Sequence, residues 1–184
     1  MRTHFYNLRS SRLWWARIWV TSDGLITIAS DYGYFGYWFG DPGGEIRRFL
    51  TRCDPSPTGY MAIKLSAGER VYDADESVRR IHAEIVRLRR RKEICSADAH
   101  ELWEFIDTYE LGENDHQVRE WLDEDLVREH LGEKAYHFLA QTLPRDVRNF
   151  MRDVWPVFVE TLTEELQGER QRREAFGEVL EMGT

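Results

Sequence analysis

Leu13-Trp14-Trp15-Ala16-Arg17-Ile18-Trp19-Val20, then Thr21-Ser22-Asp23-Gly24, then Leu25-Ile26-Thr27-Ile28-Ala29-Ser30, is where the fold class is written. β-branched and aromatic residues dominate both runs, no helical cap precedes the first, and Asp-Gly between two apolar runs is a strong hairpin signal. Asp31-Tyr32-Gly33 makes a second turn, because glycine takes positive φ without steric cost. Tyr34 to Phe39 then predicts a third strand, and Gly36 inside it marks a bulge or a close backbone approach. The expectation is a three-stranded antiparallel meander, which needs a helix over at least one face to be stable.

Gly40-Asp41-Pro42-Gly43-Gly44 ends the meander, and a short helix follows over 45–52 with Ile46, Phe49 and Leu50 on one side. Asp54-Pro55-Ser56-Pro57-Thr58-Gly59 is a loop. Tyr60 to Leu65 fits a short strand or the start of a helix equally well. From Asp75 the period turns helical. Asp73 and Glu76 stand in a capping-box relation, and Val78, Ile81, Ile85 and Leu88 form the apolar face of a helix reaching about Lys92. A second helix starts near Ser96 with Leu102, Phe105, Ile106 and Tyr109. A third runs from Asn114 to Gly132 with Val118, Trp121, Leu122, Leu126 and Leu131 inward. Ala135 to Leu139 opens a further helical stretch up to Pro144, and helices follow after Pro144 and after Pro156, where proline kinks or restarts the chain. Beyond Gly168 the tail is charged and is expected to fray. Strands first and helices after predict an α+β fold, with a sheet subdomain over 1–72 and a bundle of four or five helices over 73–184.

Charge is unevenly placed. Residues 1–95 hold 16 Lys+Arg and 11 Asp+Glu, a net of +5, whereas 96–184 hold 9 and 22, a net of −13. Net charge bears on partners and encounter rates rather than on fold. No apolar run is long enough to span a membrane, and the start lacks the apolar core of a signal peptide. Cys53 and Cys95 fit neither a zinc pattern nor a disulfide framework and read as thiols in a reducing cytoplasm.

No nucleophile elbow, P-loop or His-Glu-x-x-His motif occurs, so no catalytic residues, no metal and no cofactor are expected. Gly40 to Gly44 reads as a turn, since Pro42 removes a donor and Asp41 repels phosphate. His100 and Glu104 are four apart, but the other histidines are scattered. Arg87, Arg89, Arg90, Arg91 and Lys92 form a basic run at a helix end, read either as a nucleic-acid patch or as cations favoured by the helix dipole and paired to acids such as Glu101 and Glu104. The aromatic set from Trp14 to Phe39 lies either between helices on both sheet faces or partly on an open interface. Asp123, Glu124, Asp125 and Glu129, with Glu164 and Glu165, read as a solvated face or as a phosphate-like surface for a basic partner.

Ile26-Thr27-Ile28-Ala29-Ser30-Asp31-Tyr32-Gly33-Tyr34-Phe35-Gly36-Tyr37-Trp38-Phe39-Gly40 resembles a group of small phage and prophage accessory proteins. There a strand ending in Ser-Asp-Tyr-Gly leads to an aromatic strand ending in Trp-Gly. A Phe-Leu pair, an acid, a Tyr and a Lys-Leu follow, here similar to Phe49-Leu50, Asp54, Tyr60 and Lys64-Leu65. Trp38-Phe39-Gly40 departs from that pattern. The resemblance covers 13–65 and implies a phage accessory protein without implying a chemistry. Phage accessory genes often encode inhibitors of host defence, including anti-CRISPR proteins. With the −13 half, the expectation is a non-enzymatic inhibitor in the bacterial cytoplasm. Its acidic surface would occupy a basic groove on a host protein or ribonucleoprotein complex. The alternatives are direct nucleic-acid binding through 87–92 and a structural adaptor or homo-oligomer built on the aromatic sheet.

Overall fold

The computed structural model describes residues 1–10, 14–109, 111 and 115–181. It is α+β, with an N-terminal antiparallel sheet and a helical remainder. The sheet has four strands rather than three: β1 (Thr3–Arg9), β2 (Trp15–Thr21), β3 (Leu25–Ser30) and β4 (Gly33–Trp38), in the order β1-β2-β3-β4. β1 pairs with β2 from Thr3↔Thr21 to Arg9↔Trp15. Its hydrophobic signal is sparse and split between the two faces: Tyr6 and Leu8 are buried, whereas Thr3, Phe5, Asn7 and Arg9 face water. Alternation of this kind marks a half-buried strand even when mean hydropathy is low.

Gly24 turns β2 into β3 at φ +97°, and a Cβ there would lie 2.1 Å from the Phe39 carbonyl oxygen. The Phe39 backbone N–H donates to Gly24 O at 2.9 Å, so the hairpin tip is pinned to the end of β4. Gly36 makes no bulge. The ladder runs evenly through Ile26↔Tyr37, Thr27↔Gly36 and Ile28↔Phe35.

The sheet's inner face carries Tyr6, Leu8, Ala16, Ile18, Val20, Ile26 and Ile28, all buried. Four helices join this core: α1 (Ile46–Leu50), α2 (Tyr60–Leu65), which resolves the ambiguous segment as helix, α8 (Arg145–Asp153) and α9 (Trp155–Glu181). Phe150, Met151, Trp155, Phe158 and Leu162 enter it from the last two. Pro156 restarts the chain as expected, sitting in the first turn of α9, where its missing N–H is no loss. The backbone of α9 stays helical past Gly168 to Glu181.

The remaining elements are β5 (Val71–Asp73), α3 (Ala74–Arg90), α4 (Ser96–Thr108), α5 (Asp115–Asp123), α6 (Asp125–His130), a 3₁₀ turn (Gly132–Lys134), α7 (Ala135–Phe138) and β6 (Ala140–Thr142). Asp73 caps α3 by accepting from Glu76 N at 3.0 Å. Buried Ser77 donates to Asp73 O at 2.6 Å and accepts from Ala140 N at 2.9 Å, tying α3 to β6. The expected third helix is broken: Glu124 is extended (ψ 133°) and separates α5 from α6. Three consecutive acids at 123–125 disfavour an unbroken helix, and Asp125 suits the first turn of a new one. Asn114, the expected start, lies outside the described residues.

The chain forms two compact units, Met1–Glu69 with Leu143–Thr184, and Arg70–Thr142. Helices α3 to α7 lie in the second unit, and α8 and α9 in the first. α8 and α9 belong with the sheet, because the aliphatic inner face needs their cover.

Gly24→Ala should lower unfolding free energy by about 3 kcal/mol through strain and the clash at Phe39 O. Gly36→Ala should be neutral, or stabilising by about 0.5 kcal/mol. Urea denaturation followed by tryptophan fluorescence reads both.

Candidate binding surfaces

α5 and α6 are seated by Val118, Trp121, Leu122 and Val127, all buried. With the apolar side taken, Asp123, Glu124, Asp125 and Glu129 face solvent. Asp125, 98 % exposed, pairs with Arg128 at 2.6 Å, and Glu120 lies 3.4 Å from His116. Among the described residues no ion pair engages Asp123, Glu124 or Glu129. The local field is negative enough to act on a neighbour: burial first, then Glu120 and Glu124, hold the Tyr109 hydroxyl above its ordinary range. A cleft of about 630 Å³ beside these acids is lined by Arg119, Asp123, Arg128, Glu133 and Tyr136.

Glu164 and Glu165 belong to the other unit. Glu164 is exposed. Glu165 is engaged internally. On α9, the stripe Trp155, Phe158 and Leu162 continues at helical spacing as Glu165 and Glu169, which meet Arg47 of α1. Arg47 is 2 % exposed. Its Nη1 lies 2.8 Å from Glu169 and 3.0 Å from Glu165, and Nη2 also pairs with Glu45. The Tyr6 hydroxyl donates to Glu165 at 2.6 Å, and His4 Nδ1 stands 3.7 Å from it. The hydrogen bond from Arg47 holds the Glu169 carboxyl below the ordinary range, and bonds to Glu169 and Glu45 raise Arg47 against the cost of burial. Burial and Glu165 push the Tyr6 hydroxyl up. Arg47 was not singled out in the sequence, although an arginine flanked by Ile46 and Leu50, with two acids four apart on a later helix, is the pattern of a buried ion cluster.

Counted by compact unit, the polarity changes. Met1–Glu69 with Leu143–Thr184 holds 14 bases and 15 acids, a net of −1, whereas Arg70–Thr142 holds 11 and 18, a net of −7. The acidic half of the sequence is therefore partly balanced by the front half.

The basic run is also divided. Arg87 is bound by Glu84 at 2.6 Å and approaches Glu93 at 3.6 Å, and Arg91 lies 3.9 Å from the same Glu93. These partners come from the same helix and the loop after it, not from Glu101 or Glu104 as expected; a residue three positions away is the nearer neighbour. Arg89 and Arg90 line a cleft of about 290 Å³ with His100 and Trp103. His100 pairs with Glu104 at 3.3 Å, and among the described residues no group of three metal-ligating side chains converges. Cys95 caps α4 in a reciprocal pair with Asp98, at 3.4 and 3.2 Å. Cys53 is a free, half-buried thiol pushed up to about 11 by burial.

The aromatic residues of the sheet separate by face. Phe35, Tyr37 and Phe39 pack on the core. Phe5, Trp15, Trp19, Tyr34 and Trp38 sit at alternating positions on the opposite face, with Phe5 53 %, Trp38 61 % and Tyr34 85 % exposed. Among the described residues of this unit, the helices pack on the other face of the sheet.

A family model described as a phage family, Phage_phiTE_072, matches residues 1–164. The chain belongs to this phage family. The match spans all four strands of the sheet, the whole Arg70–Thr142 unit, α8 and the first part of α9, well beyond the 13–65 stretch that carries the resemblance. No curated protein and no solved structure matches this phage protein. Among the described residues, no helix is long and apolar enough to cross a membrane.

Removing the Arg47 side chain leaves Glu45, Glu165 and Glu169 without their shared cation, so Arg47→Ala should cost about 3 kcal/mol. Because Glu169 is lowered in the folded protein, its contribution is complete above the ordinary Glu value of about 4.3 and disappears as pH falls through the folded value. Stability measured by denaturant titration should drop on acidification below about pH 4, and Glu169→Gln should flatten that slope while lowering stability at neutral pH.

Proposed function

We propose that this phage protein acts by binding rather than by catalysis, docking the acidic α5–α6 surface on a basic groove of a host complex that handles nucleic acid, in the infected cell's cytoplasm. The observation that supports this reading is Asp123, Glu124, Asp125 and Glu129 standing exposed on two consecutive short helices, in the unit that carries most of the net charge. Their apolar sides anchor the backbone, so the carboxylates are presented on a rigid support instead of a flexible tail. Phage membership adds a setting in which a host-directed inhibitor of the anti-CRISPR kind has a use. Glu165 is left out because Arg47 and Tyr6 already satisfy it, and Glu164 stays outside the contact set. Mimicry of a nucleic-acid backbone would be partial, since the carboxylates are sparser than one charge per about 1.7 Å of duplex axis.

Complementary charge mainly accelerates encounter and is screened beyond about 8–10 Å at physiological salt. A pull-down from bacterial host extract should therefore retain a basic protein or ribonucleoprotein at low salt. It should lose that partner as salt rises to roughly 0.3 M, where screening shortens further. The triple variant Asp123→Lys, Glu124→Lys, Asp125→Lys should fail to capture it, while Glu164→Lys should not differ from the parent. Equal capture by the parent and the triple variant would sink the proposal.

A further inference from the structure

A second surface lies in the other unit, on the outward face of the four-stranded sheet. Cross-strand register assembles it in rows. One row is Phe5, Trp19, Thr27 and Gly36; the next is Asn7, Arg17, Ala29 and Tyr34; Leu25 and Trp38 close one end, and Arg9 and Trp15 the other. Phe5 and Trp19 stack at 5.2 Å between centroids with a 36° tilt. The Arg17 guanidinium stands 5.8 Å from the Trp15 ring. The Trp38 indole donates to the Asp23 carbonyl at 2.9 Å, which orients that ring at the end of the face. Gly36 adds no side chain, so the row between Tyr34 and Trp38 has an open backbone floor.

We propose that this face is a platform for a single DNA strand, with bases stacking on Trp19, Tyr34 and Trp38 and phosphates held by Arg9 and Arg17. Three features of the face favour that occupant. Every base has a π-face, so a ring-lined sheet binds strands without reading sequence. The charge is complementary: the outward strand positions carry two arginines and no Asp or Glu, and Asp31, next in register beyond Ala29, has its carboxylate turned to the Trp15 amide, from which it accepts at 2.9 Å. Among the described residues the exposed neutral polar groups on the outward strand positions are Thr3, Asn7, Thr27 and the Tyr34 hydroxyl, few enough that recognition runs through base faces and phosphates, both of which a DNA strand supplies. A second copy fits poorly. Arg17 is on an inner strand near the middle of the face, and a two-fold contact would bring it toward its own mate. A duplex hides its base faces and is excluded by the same logic.

The test uses the full chain with a fluorescein-labelled 20-mer of dT, read by anisotropy and by quenching of tryptophan emission. Binding is expected in the micromolar range, with a log–log salt slope of about −1 to −2 for two contacted phosphates. Trp19→Ala and Arg17→Glu should each weaken it by about 10-fold. Tyr34→Ala, which removes a ring that is 85 % exposed, should weaken it without altering the fold seen by circular dichroism. Duplex DNA of the same length should not compete, and the Asp123, Glu124, Asp125 triple lysine variant should bind dT as the parent does, which separates this platform from the acidic surface. No binding at about 100 µM protein, unchanged affinity in all three platform variants, an rU 20-mer bound about 10-fold more tightly than dT, or a dimer by light scattering that Tyr34→Ala dissolves would each overturn the assignment.

Discussion

One face of a four-stranded sheet has to be hidden from water, and the rest of the unit follows from how that is done. Ile18, Val20, Ile26 and Ile28 are fully buried, and each buried aliphatic side chain of this kind contributes roughly 1.5–3 kcal/mol. α1 and α2 are too short to cover such a face. α8 and α9, more than a hundred residues downstream of the sheet's first hairpin, supply Phe150, Met151, Trp155, Phe158 and Leu162. The Arg70–Thr142 unit is thereby inserted between two parts of one core. Arg47 then fixes α9 against α1 and β1, because its guanidinium is buried and satisfied only when Glu165 and Glu169 arrive at the right height. An ion cluster of this sort is weak evidence for net stability but a strong constraint on register.

That constraint reshapes the electrostatics. Linear sequence suggests a basic front and an acidic back. The folded chain mixes part of the back with the front and leaves the negative excess in the inserted unit. Carboxylates that look equivalent as letters are not equivalent: Glu165 and Glu169 satisfy a buried cation, Asp153 accepts from Tyr32 and pairs with Arg152, and Asp123, Glu124 and Glu129 are exposed. Arg87 is likewise occupied by Glu84, whereas Arg89 and Arg90 open onto a cleft. What internal pairing leaves exposed in this phage protein includes Asp123, Glu124 and Glu129, Arg89 and Arg90, and the rings of the outward sheet face.

Much of the architecture was legible locally. The Asp23-Gly24 turn, the β2–β3 and β3–β4 pairings, the Asp73 cap and the restart at Pro156 all rest on short-range rules, and such rules hold wherever backbone sterics dominate. β1 was overlooked because its outward half is polar or aromatic, so only alternation betrays it. The break at Glu124 depended on a cap and on charge repulsion that a pattern of apolar residues does not register. For the binding surfaces, the acidic residues were visible as a cluster, but their division between two units was not.

By itself the sequence determined the α+β class, the meander, the helical remainder and the resemblance to phage proteins. Those depend on periodicity, turn chemistry and motifs carried in consecutive residues. Tertiary structure alone decided that α8 and α9 belong to the sheet, that Arg47 consumes the carboxylates of α9, and which side of the meander keeps its rings in water. Each of these joins residues far apart in the chain, and burial and pairing are properties of neighbours in space.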